Sequence, residues 1–314
     1  MKAVSGKVAL ITGGSSGIGL GIARAFVNAG MRVVITYRTK RHLDEAMTYL
    51  SGAGTRVHAI RVDVTDRPVM ERAAQEAAQV FGKIHVLVNS AGAIMIKPFN
   101  QMRYRDWDWL LDVNLTGTFN AIKATVPYIQ RHDEGGHIIA ISSIFGLFAA
   151  APDQIAYCVS KFALVGLMEA LGAELVGTNI GTSVCCPGVV RSSIFEKGPD
   201  SAHASDLGLS RGSTAQEVEE LSFSGSTRQQ GLAMMKSSLP SDPLDVGEAV
   251  LRGMQNNDLF ILTHPEFESF IQARHELLLG SLSHGLSPTD QRRDLAASLF
   301  PNSIYGRTGR SDSE

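Results

Sequence analysis

The stretch Thr12-Gly13-Gly14-Ser15-Ser16-Gly17-Ile18-Gly19 decides the fold, because it joins a β-branched run, Val8–Thr12, directly to an amphipathic helical segment. From Ile18 to Ala29 the apolar Ile18, Ile22, Ala25 and Phe26 fall on one helical face, and Gly30 supplies the stop. Glycines at 13, 17 and 19, with Ser15, Ser16 and Ile18 between them, let the backbone turn tightly and approach a pyrophosphate. The amide groups at the helix N-terminus meet that ligand's charge. The same residues, Gly13 to Gly17, also fit the Gly-x-Ser-x-Gly turn that presents a nucleophilic serine between a strand and a helix. Position separates the two readings: in hydrolases that turn follows several strands, whereas here it follows the first, and Gly19 adds the third glycine a dinucleotide site requires.

Working outward, short β-branched runs alternate with helical segments: Val8–Thr12, Arg32–Tyr37, Arg56–Val62, Val86–Asn89, His137–Ser142, Thr182–Cys186 and Leu259–Thr263. This rhythm predicts an α/β chain, one doubly wound Rossmann-type domain over residues 1–282 with a seven-stranded parallel sheet and helices on both faces. The rhythm breaks over 195–243 into Gly, Ser and charged residues around one helical piece, Thr214–Leu221, which reads as an irregular lid over the strand ends. A further helix is expected from Glu266 to Leu279, and from Ser283 to Glu314 the chain turns polar, as a solvated arm or a strap around a second subunit.

Composition narrows the partners. With 314 residues, 44% hydrophobic content and 29 Lys+Arg against 31 Asp+Glu, nothing favours nucleic acid or an anionic membrane, and a small-molecule ligand is expected. The longest apolar stretch, Ile138 to Ala151, is interrupted by Ser142 and Ser143, so no membrane span is expected. Three cysteines, Cys158, Cys185 and Cys186, have neither disulfide nor zinc spacing, which points to a reducing cytoplasm and to no metal. Cys185 and Cys186 are expected as small buried hydrophobes.

At the end of the second run, where a carboxylate would hold the ribose hydroxyls of NAD, the chain has Tyr37 followed by Arg38, with Lys40 and Arg41 nearby. A 2′-phosphate would find a guanidinium there and no repelling acid, so NADP(H) is favoured, with NAD(H) as the alternative. Asp63, followed by Val64, closes the third run and either accepts from the adenine amino group or serves the local turn.

Tyr157 and Lys161 stand four apart in a helical segment, on one face. That spacing is cheap by itself; its weight comes from lying fourteen residues beyond Ser143, at the carboxyl end of the fifth run. A phenol titrates near 10, so a nearby ammonium and a cationic ligand are expected to favour phenolate and make Tyr157 an acid/base, with Ser143 holding the reacting oxygen. Asn114, within the helical run Leu110 to Leu115, is an awkward residue to bury, and Asn89-Ser90-Ala91-Gly92 by itself is a strand end passing into a turn.

In that order, these motifs over about residues 5–195 resemble the short-chain dehydrogenase/reductase family. The resemblance places its glycine motif on Gly13, Gly17 and Gly19, its adenine-contacting acid on Asp63 and its Asn-Ala-Gly element on Asn89, Ala91 and Gly92, with Ser90 as a variant. It places the catalytic residues on Asn114, Ser143, Tyr157 and Lys161. It further implies that Lys161 binds the nicotinamide ribose, that Asn114 holds a relay water, and that Pro187-Gly188, Val190 and Ser192 contact the nicotinamide end and pyrophosphate. The implied reaction interconverts a ketone and a secondary alcohol with NAD(P)(H), in a homodimer or homotetramer. The long C-terminal region and the stretch Asp258 to Glu266 are similar to bacterial members that act on bulky aryl alcohols and ketones, of the Cα-dehydrogenase kind.

Pocket candidates are Ile94, Met95, Phe145, Leu147, Ala151, Phe195 and Leu232 to Met235, while Trp107 and Trp109, two apart on a helix, are expected on different faces, one at a subunit interface. Two competing functions are weighed. A catalytically silent dinucleotide-binding sensor would be expected to lack Tyr157, Lys161 or Ser143, and all three are present. An epimerase or dehydratase acting on a nucleotide sugar would carry a larger C-terminal substrate domain than this tail can make.

Overall fold

Seven parallel strands form the sheet that the apolar runs predict, in the order β3-β2-β1-β4-β5-β6-β7. The computed structural model describes residues 1–149, 152–192, 237, 240–282, 289–299 and 304–306. The first half runs β1 Val8–Thr12, α1 Gly17–Asn28, β2 Arg32–Tyr37, α2 Lys40–Tyr49, β3 Val57–Arg61, α3 Arg67–Phe81 and β4 Val86–Asn89. The second adds α4 Tyr104–Leu111, α5 Gly117–Gln130, β5 Gly136–Ile141, α6 Ile155–Glu174, β6 Ile180–Cys186, α7 Pro243–Asn256, β7 Phe260–Leu262, α8 Glu268–Leu282 and α9 Asp290–Leu299. Strand ends differ from the expected ones by a residue or two, because hydrogen bonding to the neighbouring strand, rather than side-chain type, sets where pairing stops.

The chain builds outward from β1 to β3, then crosses back so that β4 pairs with β1, with Thr12 opposite Asn89. That crossing opens a crevice at the carboxyl ends of β1 and β4, the place where such sheets bind ligands. On one sheet face Ile11, Val33 and Ile35 pack against Ile22 and Phe26 of α1 and Val250 and Met254 of α7. On the other, Leu10, Leu87 and Ile138 pack against Met70, Ile122, Ile129 and Met168. Strands buried on both faces read as continuous apolar runs, which is why the sheet was visible from the sequence.

Local chemistry fixes the helix ends. Past α1 the chain turns at Gly30, whose φ of 84° a side chain would resist, and Gly30 N and Met31 N donate to Val27 O and Phe26 O at 3.0 Å each. Asp66 caps α3 by accepting from Val69 N at 3.0 Å, and Asp242 caps α7 by accepting from Leu244 N at 2.8 Å. Gly21 lets α1 meet α7 closely, since a Cβ there would strike the Pro243 backbone.

The structure departs from expectation in three places. One turn of 3₁₀ helix, Pro265–Phe267, precedes α8, because Pro265 favours a helical first turn. The polar tail is not wholly a solvated arm: α9 forms within it, and Ile304 is buried while the Tyr305 hydroxyl bonds Glu169 of α6. Trp107 and Trp109 both lie partly buried against one small cluster, Met95, Leu110 and Ala156, rather than on separate faces. Helix α6 is long and apolar enough to cross a membrane by length and composition, yet it packs here on the sheet and carries Tyr157 and Lys161. Most of the expected lid over 195–243, including Phe195, Thr214–Leu221 and Leu232 to Met235, lies outside the described residues, as does Ala151.

Candidate active site

The glycine turn is held from below by two threonine hydroxyls. Gly13 N donates to Thr36 Oγ1 at 3.1 Å, and Thr12 Oγ1 accepts from Ser90 N at 3.1 Å and Ala91 N at 3.2 Å. The loops after β1, β2 and β4 are thereby locked into one rim. Gly13, at φ 64°, faces the Ala91 backbone so closely that a Cβ would stand 2.8 Å from Ala91 Cα. At Gly17, φ 51°, a Cβ would come within 3.2 Å of Ser192 Cβ, so the turn and the loop after β6 face each other across a narrow slot. These residues fit a nicotinamide dinucleotide: small backbone, donor amides and no opposing carboxylate on the turn.

At the edge of this rim Tyr37 and Arg38 end β2 half-buried. Lys40 pairs with Asp44, and Arg41 lies 3.7 Å from Glu45, both within exposed α2. Asp63 Oδ1 accepts from Thr65 N at 3.0 Å and Thr65 Oγ1 at 2.8 Å, so that oxygen serves the local turn. Val64 is buried against Gly117, and its carbonyl accepts from Asn120 Nδ2 at 3.0 Å.

The residues expected to handle the proton come together one strand further along. Ser142 Oγ donates to the Lys161 carbonyl at 2.8 Å, pinning α6 to the end of β5. Gly146 must be small there, because a Cβ would stand 2.7 Å from the same carbonyl. With the helix so docked, Ser143 hydrogen-bonds the Tyr157 hydroxyl, and Ser143 Oγ also accepts from Phe145 N at 3.2 Å. Lys161 Nζ, buried, donates to Ile141 O at 3.0 Å and sits 5.6 Å from the Tyr157 ring centroid.

Asn114 lies not in a regular α-helix but in a π turn, Asp112–Thr116, between α4 and α5. Such turns often mark functional sites, because one extra residue per turn redirects a side chain. Its amide bridges two elements: Oδ1 accepts from Ala93 N at 2.8 Å, and Nδ2 donates to Ala93 O at 3.0 Å and Ser160 Oγ at 2.9 Å. Ser160 Oγ passes the chain on to Tyr157 O at 2.7 Å. Gly92 completes the contact between the two halves of the site: a Cβ there would lie 3.4 Å from Asn114 Oδ1 and 3.7 Å from Lys161 Nζ.

Burial acts on both members of the pair, in opposite directions. Burial pushes the Tyr157 hydroxyl up to about 12, outweighing the opposite pull of the Ser143 hydrogen bond. Tyr157 as a whole is partly exposed, and its hydroxyl faces Ser143. Burial brings Lys161 down to about 8, so at neutral pH it remains largely cationic. Its ammonium is directed to the Ile141 carbonyl, and among the described residues no bond to the phenol oxygen offsets burial.

Beyond the Tyr157 hydroxyl the structure shows a wall of rings that sequence spacing had hidden. Phe145 meets Tyr157 edge-on at 6.5 Å and Phe148 edge-on at 6.2 Å, and Phe148 stacks on Phe270 of α8 at 5.3 Å. Phe267 lies 6.1 Å from Phe148. Among the described pocket candidates Phe145 makes a ring contact with Tyr157, while Met95 is buried against Leu110 and Ala156, and Leu147 packs on the sheet core. Cys185 and Cys186 are buried, and burial raises both thiols, so they behave as the apolar residues expected. Phe148, Phe267, Phe270 and Thr36 gave no motif, and their roles, like the support Thr12 lends to Ser90 and Ala91, depend on contacts between distant segments.

A doubly wound sheet with a glycine turn after β1 and a Ser-Tyr-Lys cluster after β5 defines a dinucleotide-binding oxidoreductase fold. The short chain dehydrogenase family profile matches residues 7–202, and the chain belongs to that family. It is similar to the C alpha-dehydrogenase of Sphingobium sp. strain SYK-6, 32% identical over 96% of this chain and 94% of that protein. It is also similar to oxidoreductase UcpA of Salmonella typhimurium, 34% identical over 79% of this chain and 87% of the relative. Among solved structures, a short chain dehydrogenase/reductase from Burkholderia phymatum in complex with NAD superposes with a TM-score of 0.77 at 27% identity, covering 92% of this chain and all (100%) of that one. The apo form of LigO from Sphingobium sp. strain SYK-6 gives 0.72 at 32% identity over 97% and 99% of the two chains.

Proposed function

We propose that this oxidoreductase interconverts a ketone and a secondary alcohol on a bulky, aromatic substrate, with a preference for NADP(H), in the cytoplasm. The observation that carries the reading is the Ser143–Tyr157 hydrogen bond, which sets two hydroxyls side by side above buried Lys161 and next to the glycine rim. A nicotinamide dinucleotide held by Gly13, Ser15, Ser16, Gly17, Ile18 and Gly19, with Asn89, Ala91, Gly92, Pro187, Gly188, Val190 and Ser192 around it, supplies the hydride. Ser143 orients the carbonyl oxygen by a hydrogen bond, and neutral Tyr157 donates its proton to that oxygen. Lys161 stabilises the resulting phenolate by charge and returns a proton to it, replenished through a water at Asn114.

A neutral phenol is the acid that carbonyl reduction requires, and the phenolate, favoured by the Lys161 charge and by an oxidised nicotinamide, is the base for alcohol oxidation. The substrate class follows from the ring wall of Phe145, Phe148 and Phe267, against which an aryl group packs edge-on. Tyr37 and Arg38 at the β2 end favour the 2′-phosphate, with Asp63 and Val64 bordering the adenine. Exposed Phe119 of α5 and Ile155 and Val159 of α6 favour a homodimer or homotetramer, which light scattering reads directly.

The test follows nicotinamide absorbance while aryl and aliphatic ketones are offered with NADPH and NADH separately. The reading expects aryl ketones to be reduced faster, and failure of both cofactors to bind would refute it. Arg38→Ala is expected to weaken NADPH by about 10-fold, the worth of one charge-assisted hydrogen bond, and NADH hardly at all. Equal weakening of both cofactors refutes the phosphate assignment.

A further inference from the structure

From the carboxyl end of β7, we infer that His264 is a positioning residue for the nicotinamide end of the cofactor, acting through the Pro187-Gly188-Val189-Val190 loop. This inference rests on the dinucleotide-dependent reading of the site given above. His264 is buried, 8% exposed, and it meets two backbone groups of the loop. Its Nδ1 accepts from Gly188 N at 3.0 Å, and its Nε2 lies 3.3 Å from Val189 O.

Those two partners determine the ring's state. A backbone N–H can only donate, so Nδ1 carries no proton; a backbone carbonyl can only accept, so Nε2 carries one. Two hydroxyls, each able to donate or accept, complete the ring's surroundings, Thr263 Oγ1 at 2.8 Å from Nδ1 and Ser241 Oγ at 3.1 Å from Nε2. Ser241 is itself bound into the loop: its N donates to Val189 O at 3.0 Å and its O accepts from Arg191 N at 2.9 Å.

The fit is close. A Cβ at Gly188 would stand 2.8 Å from the His264 ring and 2.8 Å from Phe267, so this glycine is the residue that lets the ring lie against the loop. On its other side the loop reaches the proton donor's strand end, because Pro187 O accepts from Ile144 N at 3.0 Å, next to Ser143. His264 also lies 6.4 Å from Phe267 of the ring wall. One imidazole therefore sets the loop under the nicotinamide against both Ser143 and the aryl-binding rings. Its loss should misplace the hydride relative to the carbonyl carbon more than it weakens ketone binding.

The test compares His264→Asn, which keeps an acceptor oxygen at the Nδ1 position, with His264→Gln, whose amide reaches only the Nε2 position. Without cofactor, amide hydrogen exchange over residues 187–192 is expected to stay slow in wild type and His264→Asn and to become fast in His264→Gln. NADPH affinity, read by its fluorescence, should fall about 10-fold in His264→Gln for the orphaned Gly188 amide. Turnover should fall about 100-fold, as expected for a misplaced reaction geometry, with KM for the ketone nearly unchanged, and His264→Asn should restore most of both. Identical behaviour of the two variants, or wild-type affinity and turnover in His264→Gln, overturns the assignment. Should His264→Gln fail to fold, a ring ¹⁵N spectrum of the wild-type protein decides: a proton on Nε2 alone at neutral pH supports the clamp, and one on Nδ1 overturns it. If wild type binds neither NADPH nor NADH, the reading of the site fails instead, while the exchange and tautomer results still report on the clamp.

Discussion

Both ends of the sheet carry a knot of polar side chains, and they are built on opposite principles. At the amino ends of the strands Glu134 is met by Lys7, Lys83 and His85, and His85 Nδ1 accepts from Val8 N at 3.1 Å while its Nε2 donates to Glu134 at 3.0 Å. Each charge there faces an opposite one, and the cations hold the Glu134 carboxyl far below the usual range. At the carboxyl ends the Tyr157 hydroxyl shares a hydrogen bond with Ser143, and the Lys161 ammonium bonds only the Ile141 carbonyl among the described residues. No carboxylate answers that ammonium there. The first knot spends its polarity on joining β1, β4 and β5; the second keeps hydrogen-bonding capacity for a ligand. Capacity left over, rather than polarity as such, distinguishes a site from a brace.

The largest effect should come from the carboxyl end. Lys161→Met keeps the length of the side chain and removes its charge, and turnover is expected to fall by about 10²- to 10⁴-fold, the usual worth of a proton-transfer partner. The fold should survive, since an apolar group there leaves no buried charge. Turnover near the wild-type level would erase the distinction between the two ends.

A second change probes the support of the site. Asp106, fully shielded from solvent, bonds Lys97 Nζ at 2.8 Å and the Arg103 guanidinium, and Lys97 N donates to Asp153 O at 2.6 Å just before α6. Burial alone would raise its carboxyl, but the bonds from Arg103 and Lys97 win and hold it down at about 2, against an ordinary 3.8. Because the folded value is the lower one, the stabilisation is present above 3.8 and is lost as pH falls from there toward 2. Asp106→Asn is expected to cost about 3–5 kcal/mol, the penalty for breaking a buried pair. Denaturation midpoints measured against pH should show a smaller acid-dependent loss in the variant than in wild type, the remainder belonging to Glu134.

The smallest effect belongs to the amino end. His85→Leu should cost about 1–3 kcal/mol by leaving the Val8 amide unpaired, without altering turnover. Burial holds His85 below its ordinary 6.5, despite the Glu134 bond, so the unfolded chain takes up the proton first. Its contribution is therefore present above 6.5 and declines as pH falls below it. A turnover defect in a stable His85→Leu protein would show that the two ends are coupled.

The legible parts of the molecule were those written locally. The glycine turn, the apolar strands and the order of Asn114, Ser143, Tyr157 and Lys161 are each carried by adjacent or helically spaced residues, and the structure brings that order together in one site. What was hidden depends on residues far apart in the chain. His264 reads as a lone histidine until β7 sets it against Gly188, and Phe148 and Phe270 are separated by most of the second half of the chain. The π turn at Asn114 and the burial that raises Tyr157 rather than lowering it arise from packing, which no spacing rule encodes.

The most direct test of the central claim measures Tyr157→Phe for cofactor binding and for reduction of an aryl ketone in the same preparation. Removal of one hydroxyl leaves the ring packing against Phe145 intact, so NADPH should bind as in wild type while turnover falls by about 10³-fold or more. Full turnover with phenylalanine at this position would contradict the account.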